Sequence, residues 1–151
     1  MSFVRRIVLA LMPLTMLFTL ALAAPSAQAE APVTEAAAVG AAYDAETGEA
    51  LAAWACNTGN VCFWNDFGGT GKRCMWDVAD SDWASGTYKC SWYDTEVKSV
   101  YNRGTSSAKG VRFYRDTGYN GSIGCTKQGK KGDLAGTYKI RSHQWVSTSC
   151  G

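Results

Sequence analysis

The chain has 151 residues, with fifteen Lys or Arg against thirteen Asp or Glu, one His, six Cys and a formal net charge of +2. Its length suits one small domain beside its accessory segments, and so mild a charge argues against a nucleic-acid binder. No base-dense stripe with interleaved aromatics appears in the sequence.

At the N-terminus, Arg5 and Arg6 precede an apolar run from Ile7 to Ala24, followed by Pro25 and the small-residue site Ala27-Gln28-Ala29. This is the layout of a secretory signal. The run approaches the ~18 apolar residues of a membrane anchor, but Pro13 inside it and the cleavage site beyond it favour removal. Residues 1–29 are therefore predicted as signal peptide, cut between Ala29 and Glu30, with a cut after Ala23 as the second choice. Residues 30–55 are alanine-rich and carry five acids and no base. Their few bulky residues do not offset the entropy of ordering, so the expectation is a linker or pro-segment, with Trp54 able to dock on the cysteine-containing domain.

Residues 56–151 hold all six cysteines. Setting aside Arg5, Arg6 and the linker acids leaves thirteen bases against eight acids, a domain near +5. A small exported domain with Cys56, Cys62, Cys74, Cys90, Cys125 and Cys150 reads as three disulfides. Of the ~15 possible pairings, Cys56–Cys62 closes a short loop, Cys74–Cys90 lies in the first half and Cys125–Cys150 in the second. The C-x2-4-C spacing that zinc favours is absent.

The domain contains a duplication. Val61–Gly71, VCFWNDFGGTG, recurs from residue 111 as Val111–Gly121, VRFYRDTGYNG, an offset of fifty. Gly86-Thr87-Tyr88-Lys89 recurs at the same offset as Gly136-Thr137-Tyr138-Lys139. Two structural units, about 56–101 and 106–151, are expected. Alternation at Val61–Trp64 and Val111–Tyr114, each ended by Asp-x-Gly, predicts strands running into tight turns. Thr87-Tyr88, Thr137-Tyr138, Val97–Tyr101, Tyr138–Ile140 and Trp145-Val146 suit further strands. No amphipathic helix is visible after Ala55, so the fold class is all-β, a sandwich of two Greek-key units stapled by disulfides.

Tyr114–Gly121, YRDTGYNG, resembles the aromatic-x4-aromatic-x-Gly signature of βγ-crystallin Greek keys. That resemblance implies a folded-over hairpin in which Tyr119 covers the turn begun by Tyr114, with Gly121 where a side chain would clash. In the first unit Trp64 and Gly71 keep their places, but Gly69 stands where the second aromatic should be and Phe67 lies two residues early, which implies a hairpin that is looser or differently covered. The secretory leader, the C-x5-C pair leading into VCFW, the SVYN of Ser99–Asn102 and VRFYRDTGYNG together resemble peptidase inhibitor family I36, over Cys56 to about Trp145. This resemblance implies a secreted, monomeric, crystallin-like protease inhibitor with no cofactor, no nucleic-acid partner and no membrane association after signal cleavage. Its partner would be an extracellular protease, by resemblance a metalloprotease.

An inhibitor needs a loop held ready for the protease cleft. The candidates are Asn102–Gly110, with Asn102, Arg103 and Lys109, and Thr126–Asp133, with Lys127, Lys130 and Lys131. Calcium-binding crystallin units use an N/D-N/D-x-x-S/T-S segment, which aligns here with Asp94–Ser99 and, at offset fifty, with Gln144–Ser149. Asp94, Glu96 and Ser99 remain in the first, but Lys98 replaces a hydroxyl, and the second lacks both leading ligands, so no metal is expected. Ser99 and Ser149 read instead as serines tying down the hairpins. Asp66 and Asp116 read as turn formers and His143 as a surface residue, so no enzyme is expected. The competing reading is a killer-toxin-like or envelope-binding protein, or a weak Ca2+ binder. It draws on the positive charge and on Trp76, Trp83 and Trp92, at least one of which it needs exposed.

Overall fold

The computed structural model describes residues 41–150; the predicted signal peptide, its cleavage site at Ala29 and Glu30, and the start of the predicted linker lie outside them. Among the described residues, nine strands form two sheets: β1 (Ala42–Asp44), β2 (Ala50–Leu51), β3 (Val61–Trp64), β4 (Gly71–Trp76), β5 (Glu96–Asn102), β6 (Gly110–Tyr114), β7 (Ser122–Lys127), β8 (Lys131–Lys139) and β9 (Ser142–Val146). The larger sheet has the order β2-β1-β4-β3-β5-β8 and the smaller β7-β6-β9. Among the described residues the only helical element is one 3-10 turn, Phe67–Gly69, and no helix is long and apolar enough to cross a membrane.

The two units are read directly from the ladders. β3 pairs antiparallel with β4 and β5, and β6 pairs antiparallel with β7 and β9. β8 leaves its own unit to pair with β5 of the other. The reciprocal return from the first unit is a single bridge, Asp80 to His143, extended by the Trp83 amide donating to Arg141 O at 2.9 Å. An exchange of this kind is consistent with paired Greek keys. Val61 and Phe63 from one sheet meet Val111 and Phe113 from the other, all at most 2 % exposed, and the Phe63 and Phe113 rings meet edge-on with centroids 5.8 Å apart.

β3 is buried on both faces, which simple alternation does not predict. The second face, Cys62 and Trp64, is covered by the residues expected to be linker. β1 pairs parallel with β4 and antiparallel with β2, Ala42 is fully buried, and Leu51 and Trp54 pack on the Cys62–Trp64 side. Asp44 bonds the buried Arg73 guanidinium at 2.8 Å, and Arg73 also donates to Ala55 O at 2.8 Å. The folded domain thus begins by residue 42, not 56. Bulky residues are few in this stretch, but each finds a seat on β3 and β4.

The second hairpin has the expected form: Tyr119 sits at φ 63° with its ring edge-on to Tyr114, centroids 5.8 Å apart. The first is differently covered, one of the two outcomes that the displaced Phe67 implied. Trp54 supplies the missing aromatic, edge-on to Trp64 with centroids 5.5 Å apart, and its amide donates to Gly69 O at 3.0 Å. A Cβ at Gly69 would collide with the Trp54 ring, so glycine is what admits the borrowed side chain. Phe67 is left 48 % exposed. Gly71 and Gly121 share φ near +70° (74° and 66°), the left-handed region that glycine enters freely.

The offset of fifty fails beyond the hairpins. Ser99 lies opposite Trp64, and Ser142 opposite Tyr114, so the last strand of each unit is offset by 43. Ser99 Oγ donates to Asp66 O at 2.7 Å and accepts from the Gly69 amide; Ser142 Oγ donates to Asp116 O at 2.6 Å and accepts from the Tyr119 amide. The second hairpin serine is therefore Ser142, and Ser149 is exposed. The repeated tetrapeptide also diverges: Gly136–Lys139 lies in β8, while Gly86–Lys89 is an exposed bend rather than a strand.

Candidate functional site

Three segments meet at one end of the sandwich: 56–60, 103–109 and 127–130. Asn102 ties the second to the third, and Arg103 ties the second to the first. Asn102 Nδ2 donates to Thr126 O at 2.9 Å, its Oδ1 accepts from the Gly104 amide at 3.0 Å, and its backbone bonds Lys130 O and the Gly129 amide. Asn102 is fully buried, so it organises this end and cannot itself touch a partner.

The segment 103–109 is held along its length. Arg103 exchanges backbone bonds with Gly59 and Asn60, both 2.8 Å, and its guanidinium donates to Cys56 O at 2.6 Å. Gly104 is packed so closely that a Cβ there would collide with the Trp145 ring. Lys109 donates to Val146 O and accepts from the Gln128 amide, both 2.9 Å. In the middle, Gln128 Nε2 donates to Gly104 O at 2.6 Å and Ser106 O at 3.2 Å. Thr105, Ser106 and Ser107 stay exposed on this frame. The disulfide Cys56–Cys62 closes the first segment, and Cys125–Cys150 lies against Gly110 at the end of the second. The third, Cys74–Cys90, is in the core of the first unit.

Arg103, Lys109, Lys127 and Lys130 are exposed, the three segments contain no acid, and none of the four bases is in an ion pair among the described residues. Lys131 is different: its ammonium lies over the Trp54 and Tyr101 rings at 5.2 and 5.4 Å, which ties it to the outer face of the larger sheet. Sequence reasoning missed Gln128, which stands between Lys127 and Gly129 with nothing local to mark it. It also missed 56–60 as the third member of the group.

Other candidates resolve differently. His143 is fully buried, not on the surface. Trp83 Nε1 donates to its Nδ1 at 2.8 Å, so Nε2 carries the proton and donates to Val78 O at 3.0 Å. Burial drives its pKa down to about 4, partly opposed by the Val78 carbonyl. Trp76, Trp83 and Trp92 are at most 3 % exposed. They are core residues, so none of the three supplies the exposed aromatic that the envelope-binding reading draws on; among the described residues the large aromatics that are exposed are Phe67 and Tyr88. Asp66 Oδ1 caps its turn by accepting from the Phe67 amide at 2.9 Å.

The calcium alignment also shifts. With the last strands offset by 43, the residues equivalent to Asp94–Ser99 are Thr137–Ser142, and not Gln144–Ser149. Lys98 and Arg141 then hold the same position. Lys98 Nζ lies 3.6 Å from Asp66 Oδ1, and Arg141 bonds Asp82 at 2.7 Å, holding the Asp82 carboxyl below its usual pKa. Both places where a divalent ion would seek oxygen ligands are occupied by cationic side chains.

No curated protein matches the chain. A family model described as peptidase inhibitor family I36 matches residues 49–126. The matched region starts just before β2, takes in Trp54, both hairpins, 56–60 and all of 103–109, and ends at Thr126, where Asn102 Nδ2 is received. The chain belongs to peptidase inhibitor family I36.

Proposed function

We propose that this protein is exported and acts outside the cell as a monomeric inhibitor of a protease, with metalloproteases as the first class to test, by lodging the edge Arg103–Lys109 in the protease cleft. The predicted signal segment supports export, and the family supports a peptidase as partner. The observation that carries the reading is the bonding of 103–109 at both ends and at its middle while Thr105–Ser107 stays exposed. Ordering a side chain on binding costs about 0.5–1.5 kcal/mol, and a loop already fixed avoids much of that. Arg103, Lys109, Lys127 and Lys130 form a cationic rim that favours approach to an acidic cleft edge and makes association salt-sensitive.

The test is inhibition of a thermolysin-like metalloprotease and a subtilisin-like serine protease by the purified protein. The expected result is saturable inhibition of the metalloprotease. No inhibition of either class at micromolar protein overturns the reading. Gln128→Ala removes the prop under Gly104 and Ser106 and should weaken inhibition by roughly 5- to 30-fold, the equivalent of one or two hydrogen bonds, with thermal stability little changed.

A further inference from the structure

The two units fill their outer flanks differently. In the first, Trp76 lies opposite Val61 and Cys74 opposite Phe63. In the second, the same places opposite Val111 and Phe113 belong to Thr126 and Gly124. Trp76 stacks on Trp83 with centroids 4.5 Å apart, and Cys74 is bonded to Cys90, so the first flank is solid. The second flank, between β7 and β8, is a groove of about 470 Å³, within the ~300–1,000 Å³ range of small-molecule sites.

Val100, Phe113, Ile123, Leu134 and Tyr138 give this groove apolar surface. Gly132 shares the inward face of β8 with Leu134, Gly136 and Tyr138; the Tyr138 ring fills the place beside Gly136, and the place beside Gly132 is left open. A Cβ on Gly132 would meet nothing within 4 Å. Lys127 and Lys130 line the groove toward the contact end, and neither is in an ion pair among the described residues. Asp133 is the one acid in the lining, and its Oδ1 is engaged by the Gly68 amide at 2.7 Å.

We infer that this groove binds a free anionic amphiphile, a straight-chain carboxylate whose tail lies along Ile123, Leu134 and Tyr138 and whose carboxylate meets Lys127 and Lys130. Apolar walls, the open place beside Gly132 and two unpaired ammonium groups at one end match a single chain with one negative end. This site shares Lys127 and Lys130 with the cationic rim of the contact end, while its apolar walls lie outside 103–109.

The test titrates the purified protein with dodecanoate below its micelle concentration, followed by calorimetry and by chemical shifts of Ile123 and Leu134. Saturable one-to-one binding is expected, with octanoate weaker on the order of a hundredfold if four methylenes are buried, and dodecanol weaker than dodecanoate. Gly132→Leu fills the open space and should weaken binding at least tenfold; Thr126→Leu does so from the facing strand if the first variant fails to fold. Absence of saturable binding, or equal affinity in a folded groove-filling variant, overturns the proposal. Binding confined to micelles does so too.

Discussion

His143 shows how one side chain makes the fold depend on pH. Its buried ring is neutral, with a folded pKa lowered to about 4 from the ordinary 6.5. The unfolded chain therefore takes up this proton first. The stability from a neutral His143 is whole above pH 6.5 and is lost as pH falls from there through 4, by about 3 kcal/mol in order of magnitude. Unfolding midpoints measured between pH 7 and pH 4 should fall accordingly. His143→Gln, which can still accept from Trp83 and donate to Val78 O, should flatten the upper part of that slope. An unchanged slope would place the dependence elsewhere. Arg73 makes the complementary point, being 6 % exposed with Asp44 as its charged partner. Asp44→Ala leaves that cation buried and unpaired, and should cost on the order of 3 kcal/mol in chemical denaturation. A loss under 1 kcal/mol would mean that Arg73 reaches water.

Among the elements, the segment 42–55 departs most from its sequence. β3, β5 and β6 were legible because alternating apolar residues and Gly- or Asp-rich turns report a strand directly, though not the covering of β3 on its second face, and β9 was legible only at Trp145-Val146. β1 and β2 were not. They span three and two residues in an alanine-rich acidic stretch, and their stability comes from β3 and β4 beneath them. Trp54 is what makes the segment part of the domain, because it completes the hairpin that Gly69 leaves open. Trp54→Ala should lower stability by about 2–4 kcal/mol, the low-to-middle range for a large aromatic that is not fully buried. A chain starting at Cys56 should melt well below one starting at Glu30, in a thermal scan that would return equal midpoints if the segment were a passive linker. The tetrapeptide Gly86–Lys89 misled for a related reason. Its copy forms β8 only because β5 is there to pair with it, and identical residues without that partner stay in a bend. The offset of fifty was real for the hairpins, which are local structures, and failed for the last strands, which are placed by pairing.

For the whole molecule, the two hairpin-bearing units provide a scaffold and the differences between them provide the features that can act. The first unit packs its flank with tryptophans and a disulfide; the second leaves a groove. The contact end joins segments from both units, held by the buried Asn102 and by Gln128. The bases of that end could be read from the sequence as members of two polar loops. Their convergence could not, because it depends on backbone bonds between residues as far apart as Gly59 and Arg103. The most direct measurement is a hydrogen-exchange footprint of the protein alone and bound to an inhibited metalloprotease. The account predicts new protection concentrated in 56–60, 103–109 and 127–130, with the Phe67 hairpin and the Gly86–Lys89 bend unchanged. Protection centred on those two instead, with 103–109 unaffected, would contradict it.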